Sequence, residues 1–557
     1  MSKTAKVTVD GRSVDVPDNS NALEACRAAG VEVPHFCYHP GLSIVGQCRM
    51  CMVEIEGMPK IAASCTVPIR DGMVIKTDTE KAHAARNSTM EFLLINHPLD
   101  CPICDQAGEC KLQDNAVTGG LPVSRTSEAR RQYPGYERTD IGKHVIADMT
   151  RCIQCTRCIR FCEEITETGE LSFIERGGHT IVWTHEGRAL DNELSGCAAD
   201  VCPVGALTTK EFRFRKRAWW LDKTRSVCTG CEVGCNIAVE HKDRVVHRFI
   251  PRVNADVNDF WICDFGRFRS EELNEQELFR PVVRGKETSW GDAQDAIKAA
   301  VDAAQKDVLV LGSAKLSTET NWLAAQLFGK HLGANVEFVV DRGDRHRVKN
   351  KKADGNVAGW LEGYEAAPNS RGAEAAGVTR GGDTGALAAV LTGTLLPKVI
   401  IVLDAAFSAK AEDPAVIAAL RKAGTLIVCS RRRSALAAAA DVLLPVGGVH
   451  NDEGTFVNVQ GRVQRFDCAY IPPPIVRTQL EILTHLGKKW GLFDTRWTAR
   501  SVFEEMRATV PGYAGLDWDS PALVGSAPSA SPAAPHDVLE APAKGGLGLP
   551  ALQEVGS

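Results

Sequence analysis

The sequence predicts a multidomain chain, α+β in its first half and α/β in its second, and three observations predict it. Its 557 residues give room for about three to five domains, each with its own core. The cysteines gather before residue 264 in C-x2-C and C-x3-C units, and none stands between Cys263 and Cys429. After about residue 285, short apolar runs alternate with helical stretches, as in strands buried on both faces of a parallel sheet.

Residues 6–17, KVTVDGRSVDVP, alternate apolar and polar around Asp10-Gly11, a hairpin signal. A short helix follows, capped near Ser20 or Asn21 and stopped at Gly30. Met50–Glu56 returns to strand alternation. This order, with cysteines in the loop between, resembles a plant-type ferredoxin β-grasp domain, placed at 1–78. From Thr79 to Asn96 the pattern turns helical and opens a second domain, 79–118; a third spans 140–217 and a strand-rich fourth 218–275. Within 285–510, Val308–Leu311 leads through Gly312 and an apolar helix (about 317–331) to Val336–Val340. Lys398–Leu403 and Thr425–Cys429 are further strands, separated by an alanine-rich helix at roughly 412–423. Gly312-Ser313 is only a weak phosphate-loop signal. Residues 525–557, rich in Ala, Pro, Ser and Gly, read as an extended or disordered tail.

A net charge of −5 argues against a nucleic-acid binder, which needs a clustered basic face. Thiols in such units are kept reduced for metal in an intracellular protein and oxidised to disulfides in a secreted one. The start, Met1 to Asp10, reads as a strand and not as a signal or transit peptide. The most apolar stretch, about Ala386 to Phe407, is broken by Pro397, Lys398 and Asp404, so no transmembrane helix is expected. The expectation is a soluble cytoplasmic protein that meets a membrane only through partners.

Fifteen of the twenty cysteines and one histidine sort into four ligand sets. Iron–sulfur clusters need soft thiolates, and closely spaced cysteines in a tight loop supply them. Cys37, Cys48, Cys51 and Cys65 follow plant-type ferredoxin spacing with a lengthened loop and predict a [2Fe–2S] cluster; structural zinc is the competing reading. Gly41 and Gly46 are expected to let backbone N–H groups approach the sulfurs. His97, Cys101, Cys104 and Cys110 predict a [4Fe–4S] cluster, in which a neutral imidazole raises the potential above that of an all-cysteine site. Cys152, Cys155 and Cys158 begin a bacterial ferredoxin run, with Cys202 before Pro203 as the distant fourth ligand of another [4Fe–4S] cluster. Cys162 and Cys197 are expected to be non-ligands, because the second run that Cys162 would serve is missing. Cys228, Cys231, Cys235 and Cys263 match the N-terminal [4Fe–4S] domain of molybdopterin oxidoreductases, with a zinc ribbon as the alternative.

In this order the motifs resemble the large iron–sulfur subunit of bacterial respiratory complex I (NADH:quinone oxidoreductase), the counterpart of the mitochondrial 75-kDa subunit. The resemblance covers residues 1 to roughly 510. It implies an electron-transfer subunit of a translocase, peripheral on the cytoplasmic side of the inner membrane. Its partners would be a flavin- and NADH-binding subunit and other peripheral-arm subunits. The first three clusters would carry electrons inward from flavin toward quinone, and the fourth would lie off that route. No catalytic residue is expected in the chain itself. Residues 285–510 resemble the molybdopterin-oxidoreductase fold through Leu443-Leu444-Pro445-Val446, Gly454-Thr455-Phe456 and Gly461-Arg462-Val463-Gln464. Lacking a cysteine from 264 to 428, that region is expected to be a scaffold without molybdopterin.

The rivals are an iron-only hydrogenase, which would need a cysteine-rich catalytic domain after residue 264, a molybdenum-dependent formate dehydrogenase-like enzyme, and a zinc-ribbon interaction protein. The diaphorase module of a NAD-linked hydrogenase uses similar clusters. The basic segment Arg213–Arg217 with Trp219-Trp220 reads equally as a partner-docking face and as a solvated one. Arg431–Arg433, after a strand, reads as a solvated loop, with anion binding as the alternative.

Overall fold

The computed structural model describes residues 4–520, apart from 122, 351–358, 383–384, 493–496 and 511; the tail expected at 525–557 lies outside the described residues. The hairpin forms as expected. Strand Thr4–Val9 pairs antiparallel with Arg12–Pro17, Val9 facing Arg12. Its two-residue turn puts Asp10 at φ 44° and Gly11 at φ 82°, the positive pair that matches the strand twist. Val74–Lys76, Met52–Ile55 and Ala62–Ala63 extend the sheet on the other side of Thr4–Val9. Helix Ala22–Ala28 opens with a capping box between Asn21 and Glu24 and buries Ala22, Leu23, Ala25 and Cys26 against the sheet.

Helix Glu80–Asn96 starts at the Thr79 cap. Buried Arg86 ties it to the sheet, Nε donating to Met52 O at 3.0 Å and Nη2 to Thr77 O at 2.5 Å. The helix stops at His97 because Pro98 follows, which forces the preceding residue out of helical geometry; His97 sits at φ −67°, ψ 129°. Next come the sheet of Leu207–Thr209, Val145–Ala147 and Thr139–Asp140, the hairpin Leu171–Ile174 with Ile181–Thr184, and an antiparallel sheet of Asp222–Val227, Asn236–Lys242 and Val245–Pro251.

In the second half, eight strands stand in the order Lys286–Glu287, Val282–Val283, Val442–Pro445, Thr425–Ser430, Val399–Val402, Val308–Leu311, Asn335–Phe338, Thr379–Arg380. The last six run parallel. Alternate residues of one strand serve two cores: Val308, Val310, Val399 and Ile401 face one helical layer, and Leu309, Leu311, Ile400 and Val402 the other. That explains the unbroken apolar runs.

Two hairpins leave this region and reach the cysteine-bearing half. Arg342–Asn350 with Gly359–Glu365 is largely polar in its first strand, with Val348 its one buried apolar residue, and was not foreseen. Lys349 Nζ reaches Glu167 Oε1 at 2.5 Å, and Asn350 Nδ2 donates to Val257 O at 2.7 Å. The second, Gly454–Val457 with Val463–Phe466, brings Gln464 Nε2 to Gly234 O at 2.9 Å. Among the described residues no helix is long and apolar enough to cross a membrane.

Candidate metal centres

The first set is drawn together by the loop after helix Ala22–Ala28. Cys37, Cys51 and Cys65 are buried and Cys48 is half-buried. Cys37 N–H donates to Cys48 Sγ at 3.4 Å and Cys48 N–H to Cys37 Sγ at 3.5 Å. Hydrogen bonding among the thiols holds Cys37 and Cys51 below the ordinary thiol range and pushes Cys48 and Cys65 above it. The backbone donors on Cys37 are Gln47 and Cys48, not the glycines. Gly41 is small for another reason: a β-carbon there would stand 2.8 Å from the Phe260 ring and 3.0 Å from Trp261.

In the second set the helix end delivers His97, and Cys101, exposed on a short turn, precedes buried Cys104 and Cys110. Burial, with Arg151 nearby, lowers His97 to about 4, so the ring is neutral, the form that ligates metals. Its Nδ1 is buried with no hydrogen-bond partner. Burial pushes the Cys110 thiol up to about 11. Arg217 donates to the carbonyls of Pro102 and Cys104, clamping the basic segment onto this loop.

All four cysteines of the third set, Cys152, Cys155, Cys158 and Cys202, line one small cavity. Its other walls are mainly apolar: Met149, Ile153, Val182, Val204 and Leu207. Gln154 at φ 53° and Thr156 at φ 64° curl the backbone between the cysteines, and Gln154 N–H reaches Cys152 Sγ at 3.3 Å. Cys162 is fully buried and does not line this cavity.

Cys228, Cys231, Cys235 and Cys263 are all buried. Gly230 N–H donates to Cys228 Sγ at 3.4 Å. A β-carbon on Gly266 would lie 2.6 Å from Cys228 Sγ and 3.8 Å from Cys263 Sγ, so only glycine leaves those sulfurs their space. Cys197 stands beside this set, its Sγ donating to Ile262 O at 3.2 Å and accepting from Arg267 Nη2 at 3.4 Å.

Each donor set suits an iron–sulfur cluster: four thiols, or three with the neutral His97 ring in the second set, backbone N–H groups on sulfur in every set, and low polarity around the third. Among the described residues no three His, Cys, Asp or Glu side chains converge as they would on one metal ion. A cluster instead spreads its ligands over several irons.

Arginines that sequence reasoning missed join the sets. Arg157 donates to Tyr38 O, and Arg160 Nη2 to Cys37 O at 2.5 Å, linking the third set to the first. Arg151, 2% exposed, donates to Asp100 at 3.0 Å, and Gly205 lies where a β-carbon would be 2.2 Å from Cys104 Sγ, linking the third set to the second. Arg267 pairs with Asp200, linking the third set to the fourth. The loops that carry the third set therefore touch those of all the other sets. The available signal was arginine at 151, 157 and 160, inside a cysteine run expected to be buried.

At the carboxyl ends of the parallel strands, where α/β sheets place ligands, the side chains satisfy one another. Ser313 Oγ donates to Asp404 Oδ2 at 3.0 Å and Lys315 Nζ to Ala406 O at 2.7 Å. Cys429 is buried in its strand.

Family models match in the same order. Residues 2–80 match a 2Fe-2S iron-sulfur cluster binding domain and 86–125 an NADH-ubiquinone oxidoreductase-G iron-sulfur binding region. Residues 142–208 match the ferredoxin-like domain of NADH-quinone oxidoreductase subunit 3, and 221–271 an NDSU1/NuoG-like 4Fe-4S domain. Residues 369–489 match molybdopterin oxidoreductase. The NADH-quinone oxidoreductase G subunit of Rickettsia conorii is 42% identical over 334 residues, 59% of this chain and 49% of the relative. The mitochondrial NADH dehydrogenase [ubiquinone] iron-sulfur protein 1 of Solanum tuberosum is 42% identical over 343 residues, 61% of this chain and 46% of the relative. A solved NAD+-reducing [NiFe]-hydrogenase in the H2-reduced state is 31% identical, with 38% of this chain and 90% of that one covered and a TM-score of 0.35. The chain spans about half the length of the curated relatives it matches. With 2Fe-2S and 4Fe-4S binding domains in the relatives' order, the chain is similar, over 59–61% of its length, to the NADH-quinone oxidoreductase G subunit and its mitochondrial iron–sulfur counterpart.

Proposed function

We propose that the chain is the electron-transfer subunit of an NADH dehydrogenase module, carrying single electrons from a partner-bound flavin toward quinone. The observation that carries this reading is the contact of the loops bearing the third set with those of the first, the second and the fourth. It supports a route from Cys37, Cys48, Cys51 and Cys65 through Cys152, Cys155, Cys158 and Cys202 to His97, Cys101, Cys104 and Cys110. Cys228, Cys231, Cys235 and Cys263 form a side branch.

When bound, each cluster supplies a one-electron acceptor, which lets the two electrons of a reduced flavin be taken in single steps. The chain's own residues hold the ligand loops, exclude water and set the local charge. Gln47, Cys48, Gln154 and Gly230 donate backbone N–H groups to sulfur, which favours the more negative, reduced state. The exposed turn of Cys101 beside Arg217 and Trp219 is the face on which the next electron acceptor docks. The α/β region serves as a scaffold without molybdopterin, a reading supported by the mutually satisfied residues at its strand ends. Association with a membrane comes through partner subunits.

Anaerobic purification with iron and sulfide counting, then an EPR redox titration, tests the assignment. One [2Fe–2S] and three [4Fe–4S] clusters amount to about fourteen iron atoms per chain. A colourless, zinc-containing protein without acid-labile sulfide would overturn it.

A further inference from the structure

Arg157 stands out among the groups that are not ligands. It lies between Cys155 and Cys158 and is 6% exposed. Its Nη2 donates to Tyr38 O, beside Cys37, and its Nη1 to Val201 O at 3.4 Å, beside Cys202. The guanidinium thus spans from the loop of the first set to that of the third. Its Nε is buried with no hydrogen-bond acceptor. A guanidinium is not left buried without compensating negative charge. The acidic groups that act on it are thiols of both sets, Cys155 and Cys202 first and then Cys37. Arg160, its neighbour one turn on, is engaged differently: Nε reaches Thr156 Oγ1 at 3.2 Å, and both Nη atoms hold carbonyls of the first loop, at Cys37 and Ser43.

We propose that Arg157 is the shared counter-charge of the first and third clusters, a positioning residue that raises the reduction potential of both. The inference rests on the electron-transfer reading above. Adding an electron to either cluster adds negative charge to a poorly solvated site, and a fixed cation between them favours that step at both. One charge serving two centres predicts that their potentials move together.

The test is Arg157→Gln in the full chain, purified anaerobically and followed by EPR redox titration. The expected result is wild-type iron content with both midpoints lowered. Each reduction equilibrium becomes about tenfold less favourable, about 59 mV for a one-electron couple. The midpoints of the His97 and Cys228 sets hold. Arg157→Lys, which keeps the charge, restores the larger part of both shifts. If only the lysine variant loads, both of its midpoints are expected near wild type, and a tenfold change in either overturns the proposal. A loaded Arg157→Gln chain in which one or neither midpoint moves also overturns it. So does failure of both variants to hold the two clusters, which would make the arginine structural. Absence of these clusters from the wild-type chain would instead remove the electron-transfer reading itself.

Discussion

The ring of Trp219 closes on Gly108 so tightly that a β-carbon at 108 would stand 2.1 Å from the indole Cε3. Gly108 also has φ 95°, a conformation that side chains other than glycine rarely adopt. Gly108→Val is therefore expected to expel the indole and open the second set. EPR should show selective loss of that cluster's signal, and iron content should fall by about four atoms per chain. A variant with an unchanged signal would mean that the aromatic lid is incidental.

His97→Cys replaces a neutral ring by a thiolate and adds one negative charge to the second set. The expected outcome is a loaded cluster whose midpoint is lower by at least about 59 mV, a factor of ten for one electron. An equal or higher midpoint in a potentiometric titration would show that His97 is not a ligand.

Cys162 and Cys197 are as buried as the ligands, yet the contacts set them apart. Cys162 lies outside the third-set cavity, and Cys197 binds Ile262 and Arg267. Cys162→Ser and Cys197→Ser should each keep the full iron count, whereas Cys263→Ser should lower the fourth cluster's occupancy. Iron loss in either of the first two variants would redraw the ligand sets.

Burial raises the Glu319 carboxyl to about 7, with Asp452 adding to the effect. Both oxygens accept from Thr455, at 2.8 Å from N and 2.6 Å from Oγ1. The folded state then holds a proton that the unfolded chain releases near its ordinary value. Between about pH 4.5 and 7 the unfolded state binds fewer protons, so stability falls as pH rises. Glu319→Gln removes this dependence. Relative to wild type it should gain stability across that window, by roughly 3 kcal/mol at most. Thermal melts at pH 4.5 and 7.5 check it, and parallel curves for the two proteins would refute it.

The convergence of Cys152, Cys155, Cys158 and Cys202 on one cavity was legible because a metal loop writes its chemistry into close spacing. The helix bounds around Asn21 and Thr79 and the strands Val308–Leu311 and Thr425–Ser430 were legible through caps and apolar runs. The arginines that join the sets were not, since Arg157 meets Tyr38 across 119 positions of sequence. Gly41 was misread because its neighbours Phe260 and Trp261 are more remote still in the sequence. Arg342–Asn350 gave no strand signal: it is charged, and its buried end is defined by another region, where Lys349 meets Glu167.

The hairpin contact from Gln464 to Gly234 has a bearing on biogenesis. The thiols of Cys228, Cys231 and Cys235 leave the ribosome some 230 residues before the side chain that holds their loop. The ligand loops for the first three clusters close on segments that are made early. The loop of the fourth set is held in addition by a hairpin of the α/β region. The α/β region thus lends the fourth ligand loop a clasp from far along the chain.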